Sequence, residues 1–308
     1  MMRILADCHE AARANLRRVV MPEGAEPRVL AAAARLAGEG LAIPVLIGSQ
    51  APGCETVDPA ADPRRGELAA LVAARREKMS AAMAARLLAK PLYFGAALVA
   101  AGHAAAMVAG AASPTRRVIE AGMMTVGLAE GVAVPSSFFL MVLEGRALVF
   151  ADCALNVAPS ADELADIAVA SGRSAERLLG AARVAMLSYS TLGSGAGASV
   201  DKVRAAVRLA RERAPGLAID GEFQADAALN AGIAARKGAG GDVAGRANVL
   251  VFPDLDSGNI AYKLVQELAG AQAVGPFLQG FARPVCDLSR GATVEDIVAA
   301  AVVTLALG

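Results

Sequence analysis

The chain alternates short apolar runs with amphipathic stretches, and this rhythm limits its fold more than any other feature. "RRVVMPEG" (Arg17 to Gly24) is a β-branched run that ends in a Pro/Gly turn. The helix pattern "PRVLAAAARLAGEG" follows, then a second strand pattern, "AIPVLIGS". Repeated along the chain, the alternation predicts a mainly parallel sheet covered by helices, an α/β fold. "LVAARREKMSAAMAARLLAK" reads as a helix or helix pair ended by Lys90 and Pro91. "AAMVAGAASPT" is a strand entering a loop, with Arg116 opening the next helix.

Three further apolar runs, "ALVFADCALN", "VAMLSYSTLGSG" and "ANVLVFPDLDSGN", each end in small polar residues and glycine. Ligands of open α/β sheets bind beyond the carboxyl ends of the strands. Ser190, Thr191, Gly193 and Ser194 in the second run are therefore candidate substrate contacts, as are Gly258 and Asn259 at the end of the third and Tyr262 and Lys263 just after it. Ordinary turn chemistry explains any one such loop equally well. The glycine-rich "ARKGAGGDVAGRAN" (Ala235 to Asn248) reads as a mobile loop, either a lid or a connection.

With 308 residues, there is length for two domains. Thirty basic residues balance thirty acidic ones, and tryptophan is absent, so neither a nucleic-acid nor a membrane partner is expected. No run approaches the ~18 apolar residues of a spanning helix, and charges interrupt the first twenty residues, so a cytoplasmic location is expected. Cys8, Cys54, Cys153 and Cys286 lie far apart, and His9 and His103 are the only histidines. Neither a disulfide framework nor a zinc site is expected.

"CDLSRGATVEDIVAA" (Cys286 to Ala300) is the densest chemistry in the chain. Thr293 followed by Asp296 has the spacing of a helix capping box. Ser289 offers a hydroxyl, Arg290 a planar fork of donors suited to phosphate, and Gly291 close backbone approach, ahead of a helix N-terminus that favours anions. A carboxylate at Asp296 suits a proton acceptor there as well as a cap, and spacing alone leaves both readings open.

The carboxyl half resembles the phosphate acetyltransferase and phosphate butyryltransferase family. The resemblance is carried by "MLSYSTLGSGAG", "IDGEFQADAAL", "VAGRANVLVFPDLDSGNIAYKLVQ" and "GPFLQGFARPVCDLSRG", with weaker matches at "MPEGAEPRVLAAA", "PLYFGAALVAAGHAAAMVAGA" and "SSFFLM". It implies reversible acetyl transfer between coenzyme A (CoA) and inorganic phosphate by direct thiolate attack in a ternary complex, with CoA as a substrate and no cofactor or metal. It implies two α/β/α domains with mainly parallel sheets, similar to isocitrate and isopropylmalate dehydrogenases, and a homodimer. Residues 1–130 plus 276–308 would form domain I and 131–275 an inserted domain II, with the active site in the cleft between them. Asp296 would take the thiol proton, while Ser289 and Arg290 bind phosphate and the developing charge. Arg28 and Arg75 match arginines linked to CoA binding.

One departure stands out. Where family members carry an arginine in a segment like "ADVLRAGL", this chain has "RRVIEAGM", with Glu120 at the matched position. Arg116 or Arg117 could reach the same space from one turn earlier. Alternatives are transfer of a propionyl or butyryl chain, or a non-catalytic acyl-CoA-binding relative. A dehydrogenase of the related fold would need a metal-binding carboxylate cluster, for which Asp254 and Asp256 have no evident partners. The proton transfer is demanding: a free thiol (pKa ~8.5) and a free carboxyl (~3.9) differ by ~4.6 units, or ~6 kcal/mol.

Overall fold

The computed structural model describes residues 3–308. In chain order it forms α1 (Arg3–Ala14), β1 (Arg18–Met21), α2 (Pro27–Gly38), β2 (Ile43–Ile47), β3 (Glu55–Val57), α3 (Arg65–Ala74), α4 (Ala81–Leu87), α5 (Pro91–Ala100), β4 (Ala106–Ala109) and α6 (Thr115–Thr125). Next come β5 (Ser136–Leu143), β6 (Arg146–Ala151), α7 (Ala161–Leu179), β7 (Arg183–Leu187), α8 (Ala198–Arg213), β8 (Ala218–Phe223), α9 (Ala225–Leu229) and α10 (Ala231–Arg236). The chain ends with β9 (Val249–Val251), α11 (Leu255–Ala269), β10 (Gln272–Gln279), β11 (Val285–Asp287) and α12 (Val294–Leu307). These elements divide into one compact unit of residues 3–131 and 281–308, and a second of residues 132–280.

The first unit is a parallel sheet in the order β3-β2-β1-β4-β11. Its helices begin where the sequence supplies a start. Pro91 opens α5 rather than ending the preceding helix, because a first-turn residue needs no N–H partner. α12 is buried along Ile297–Leu305 and packs on α1, α2 and β4, as an all-round apolar helix must. Phe94, Leu98 and Met107 are among the fully buried side chains, each stabilising by about 1.5–3 kcal/mol relative to exposure.

The second unit has the order β10-β5-β6-β9-β7-β8. β10, β5 and β6 pair antiparallel, and β6, β9, β7 and β8 parallel. Its long helix α7 starts with a complete capping box, Ser160 with Glu163, and ends on the left-handed Gly180. The segment expected to be a mobile loop is instead packed. Val243, Ala244 and Ala247 are buried, and the Gly245 and Ala247 amides donate to the Ala227 and Ala228 carbonyls. Its small side chains let the backbone lie flat on α9.

α11 meets the loop after β6 at Gly258, where a Cβ would stand 2.3 Å from the Asp152 carbonyl oxygen. Backbone cannot yield as a flexible side chain does, so Gly258→Ala is expected to destabilise the protein by about 1–3 kcal/mol. Urea unfolding of the variant beside the parent checks this.

Candidate functional site

In the first unit the carboxyl ends of β1, β4 and β11 lie side by side, with Val20 opposite Met107 and Asp287 opposite Ala109. Three loops issue from them: residues 22–26, 110–114 and 288–293. Arg28, in the first turn of α2, ties these together. Its Nη1 donates to the carbonyls of Arg290 (2.9 Å) and Ala292 (2.7 Å), its Nη2 to that of Ala111 (3.1 Å), and its Nε to Glu26 (2.8 Å). The arginine expected to bind CoA is thus engaged in holding the Ser289–Arg290 loop in place. Glu23 complements it, its carboxylate accepting from the amides of Gly110 (2.8 Å), Ala112 (3.2 Å) and Ser113 (2.7 Å).

Ser289, Arg290 and Asp296 sit within one short stretch, from the end of β11 to the first turn of α12. Ser289 and Arg290 are exposed, and Asp296 is half-buried. The capping box forms: Asp296 Oδ2 accepts from the Thr293 amide (3.0 Å) and hydroxyl (2.8 Å), while Thr293 Oγ1 accepts from the Asp296 amide (3.2 Å). Capping therefore fixes where this carboxylate stands, at the first turn of α12.

Asp287, two residues before Ser289, is a buried carboxyl that the motif reading passed over. Its Oδ2 accepts from the Thr115 hydroxyl (2.6 Å), and its Oδ1 has no hydrogen-bond partner among the described residues. Burial pushes it up to about 7, with Thr115 opposing and the Glu23 charge adding. Gly110 packs against it with φ +113°, and a Cβ there would stand 2.4 Å from Oδ1, so only glycine fits.

The other expected arginines of this unit separate. Arg75 donates to the last carbonyls of α6, Thr125 (2.7 Å) and Val126 (2.6 Å), and so caps a helix C-terminus. Arg116 and Arg117 lie in the first turn of α6, where Arg117 pairs with Glu120 at 3.2 Å. The pair carries, in reverse order, the charges of the Asp and Arg in "ADVLRAGL". Arg117 also lines a cavity of about 460 Å³ with Glu23, Lys90, Tyr93 and Ser113.

In the second unit the loop after β7 carries Ser190, Thr191, Gly193 and Ser194, and its polar groups largely hold one another. Glu222 accepts from the Ser190 hydroxyl (2.8 Å), the Gly193 amide (2.9 Å) and Arg204 Nε (2.9 Å). Ser190 Oγ accepts in turn from the Gly195 amide (2.9 Å), and Ser194 Oγ from that of Thr191 (2.9 Å). Thr191 Oγ1 accepts from the Gln224 amide (3.0 Å). Tyr189 and Leu192 are exposed large apolar side chains of this loop, and Ser194 is exposed with them.

The α11 candidates serve packing. Asn259 donates to the Cys153 carbonyl (3.0 Å), and Gly258 admits the Asp152 backbone. Tyr262 stacks on Phe139 within the core, with Lys263 over its outer ring face at 4.9 Å. Asp152, also missed in the sequence, gathers the amides of Ala154, Leu155 and Asn156. The legible signal for Asp152, Glu222 and Asp287 was a carboxylate at the carboxyl end of an apolar strand.

Burial acts to raise Glu222, but Arg204, the Gly193 amide and Ser190 outweigh it and bring the carboxyl from the ordinary 4.5 to about 2. A depressed folded value contributes stability that is fully present above pH ~4.5 and lost as pH falls through about 2. Glu222→Gln should therefore flatten the fall in stability over that window, which urea midpoints measured from pH 5 downward check.

With this geometry in view, comparison with known proteins places the chain. A family model described as phosphate acetyl/butaryl transferase matches residues 3–305. The phosphate acetyltransferase of Paracoccus denitrificans is 44% identical over 315 residues, covering 98% of each chain. A phosphotransacetylase crystal structure from Streptococcus pyogenes superposes with a TM-score of 0.93 at 38% identity, covering 99% of this chain and 98% of that one. The 4-hydroxythreonine-4-phosphate dehydrogenase of Klebsiella pneumoniae, 14% identical with a TM-score of 0.55 over 95% of this chain and 99% of its own, shares the fold alone. From its first described residue nearly to its last, the chain belongs to the phosphate acetyl/butaryl transferase family.

Proposed function

We propose that the protein transfers an acetyl group reversibly between CoA and inorganic phosphate, and that the chemistry is done by Asp296, Ser289 and Arg290. The observation that carries this reading is the placement of all three in one stretch at the carboxyl end of β11, with the loop clamped by Arg28 and the carboxylate fixed by the α12 capping box. In the direction of acetyl-CoA synthesis, Asp296 takes the CoA thiol proton. The thiolate attacks the carbonyl carbon of acetyl phosphate, the bond from that carbon to the phosphate oxygen breaks, and phosphate leaves with the charge. Arg290 and Ser289 hold the phosphate and the oxygen that becomes negative in the transition state. A carboxylate takes a thiol proton against a steep gradient in water, so bound CoA must exclude solvent from Asp296. CoA is a substrate, and the reaction as written asks for no cofactor.

The same reading places the protein in the cytoplasm, where acetyl-CoA and phosphate are available. Among the described residues no single helix is long and apolar enough to cross a membrane. A homodimer is supported by α11, which exposes Ile260, Leu264 and Leu268 along one face at i, i+4, i+8. Leu264→Lys is expected to shift sedimentation from dimer to monomer.

The test of function is CoA release from acetyl-CoA with phosphate, compared across acetyl-, propionyl- and butyryl-CoA. Absence of turnover with every chain length would point to the non-catalytic acyl-CoA-binding alternative, and faster turnover with butyryl-CoA to the longer-chain one. Asp296→Asn should lower kcat roughly 10²–10⁴-fold with little change in the KM for phosphate. Arg290→Ala should lower it about 10²–10³-fold. Full turnover by Asp296→Asn would remove the base assignment.

A further inference from the structure

Asp287 is a buried acid that the acetyl-transfer step leaves unused. It is 1% exposed, at the last position of β11 and two residues before Ser289. The hydroxyl of Thr115, the first residue of α6, donates to its Oδ2 at 2.6 Å. Its Oδ1 is turned against Gly110 and meets no donor among the described residues. A buried oxygen left unmet destabilises the fold, and an ionised one does so far more. Packing does not account for it, because an apolar side chain of similar size would fill the same space without that penalty.

Its surroundings decide its charge state. Glu23, in the loop after β1, accepts the Gly110 amide at 2.8 Å together with those of Ala112 and Ser113. Two carboxyls thus meet at one glycine in unlike settings: three amides support a charge on Glu23, and none supports one on Asp287 Oδ1. The cations of the neighbouring elements are engaged or in water. Arg28 on α2 holds three carbonyls, Arg117 on α6 pairs with Glu120, and Arg116 and Arg290 are exposed. On α12, Asp296 holds the cap and Glu295 pairs with Arg35; the Cys286 thiol on β11 is buried and pushed far up by that burial. β4 and the loop after it carry no ionisable side chain. Burial and then the Glu23 charge therefore prevail over the Thr115 bond and bring Asp287 to about 7.

Two residues of chain span at most ~7 Å, so an anion held at Ser289 feels a charge on Asp287. We propose that Asp287 is a positioning residue for phosphate: as a neutral acid it seats the root of the Ser289–Arg290 loop against Gly110, and as a carboxylate it sets an unmatched negative charge at that root and weakens the loop's hold on a phosphate dianion. Phosphate as the ligand follows from the acetyl-transfer reading of this loop. The effect is reciprocal, since an anion bound at Ser289 and Arg290 keeps the proton on Asp287.

Sulfate tests this, because it stays a dianion through the pH range in which phosphate itself titrates. Calorimetric titration of the intact protein with sulfate, from about pH 5.5 to 8.5, should show affinity falling roughly tenfold as pH rises through about 7, with net proton uptake on binding near that midpoint. In Asp287→Asn both the fall and the uptake should vanish. Thr115→Val keeps the side-chain shape and removes the bond that opposes burial, so it should move the midpoint to higher pH. A residue that only packs would move the thermal midpoint and neither of these readouts. Parent-like pH dependence in Asp287→Asn would overturn the proposal, and where that variant does not fold, an unmoved midpoint in Thr115→Val would do so. Sulfate that binds the parent equally at both ends of the range, or not at all, would overturn it as well. Absence of acetyl transfer in a parent that still releases sulfate as pH rises would instead sink the functional reading and leave this one standing.

Discussion

The first unit depends on a single guanidinium. Arg28 donates four hydrogen bonds that gather the loop after β4, the loop after β11 and its own helix start, and three of the four acceptors are backbone carbonyls. Carbonyls at the ends of parallel strands need partners, and a planar fork of fixed geometry supplies several at once where a lysine could not. Glu23 plays the inverse part from the same turn, gathering amides where Arg28 gathers carbonyls. The "PEG" turn and the start of α2 together form a two-sided clamp, and Ser289 and Arg290 owe their location to it.

The second unit solves the same problem with carboxylates. Asp152 gathers the loop after β6, and Glu222 gathers the loop after β7, each by accepting amide and hydroxyl donors at the carboxyl end of the sheet. A charged acceptor is strong enough to determine a loop's shape when several donors converge on it. Ser190 and Thr191 consequently turn their hydroxyls toward Glu222 and Gln224 at the end of β8, and Ser194 toward its own loop. The Arg117–Glu120 pair differs in kind: it is exposed and stabilises little by itself.

The mixed, mostly parallel α/β fold was readable because strand and helix periodicities survive in a single sequence, and the motif at Ser289, Arg290 and Asp296 because its three residues are neighbours along the chain. The α12 capping box was readable for the same reason, since Thr293 and Asp296 meet within one turn. Arg28 and Arg75 show the boundary of such reading. Both could be recognised as arginines that matter, but their partners at Arg290 and Thr125 lie 262 and 50 residues away along the chain. Tyr262 reads as a polar candidate at a strand-loop-helix junction, and only packing reveals its stack on Phe139.

The sequence by itself determined the alternation of elements, the helix starts and the spacing of the Ser-Arg-Asp stretch, because each of these is set by interactions within a few residues. Tertiary structure alone decided which charges are engaged. It put Arg28 on carbonyls, buried Asp287 beside Gly110, packed the glycine-rich loop on α9, and set Tyr93 at the wall of a cavity. The physical reason is that the state of a polar group depends on its neighbours in space and on its distance from water, and chain order fixes neither.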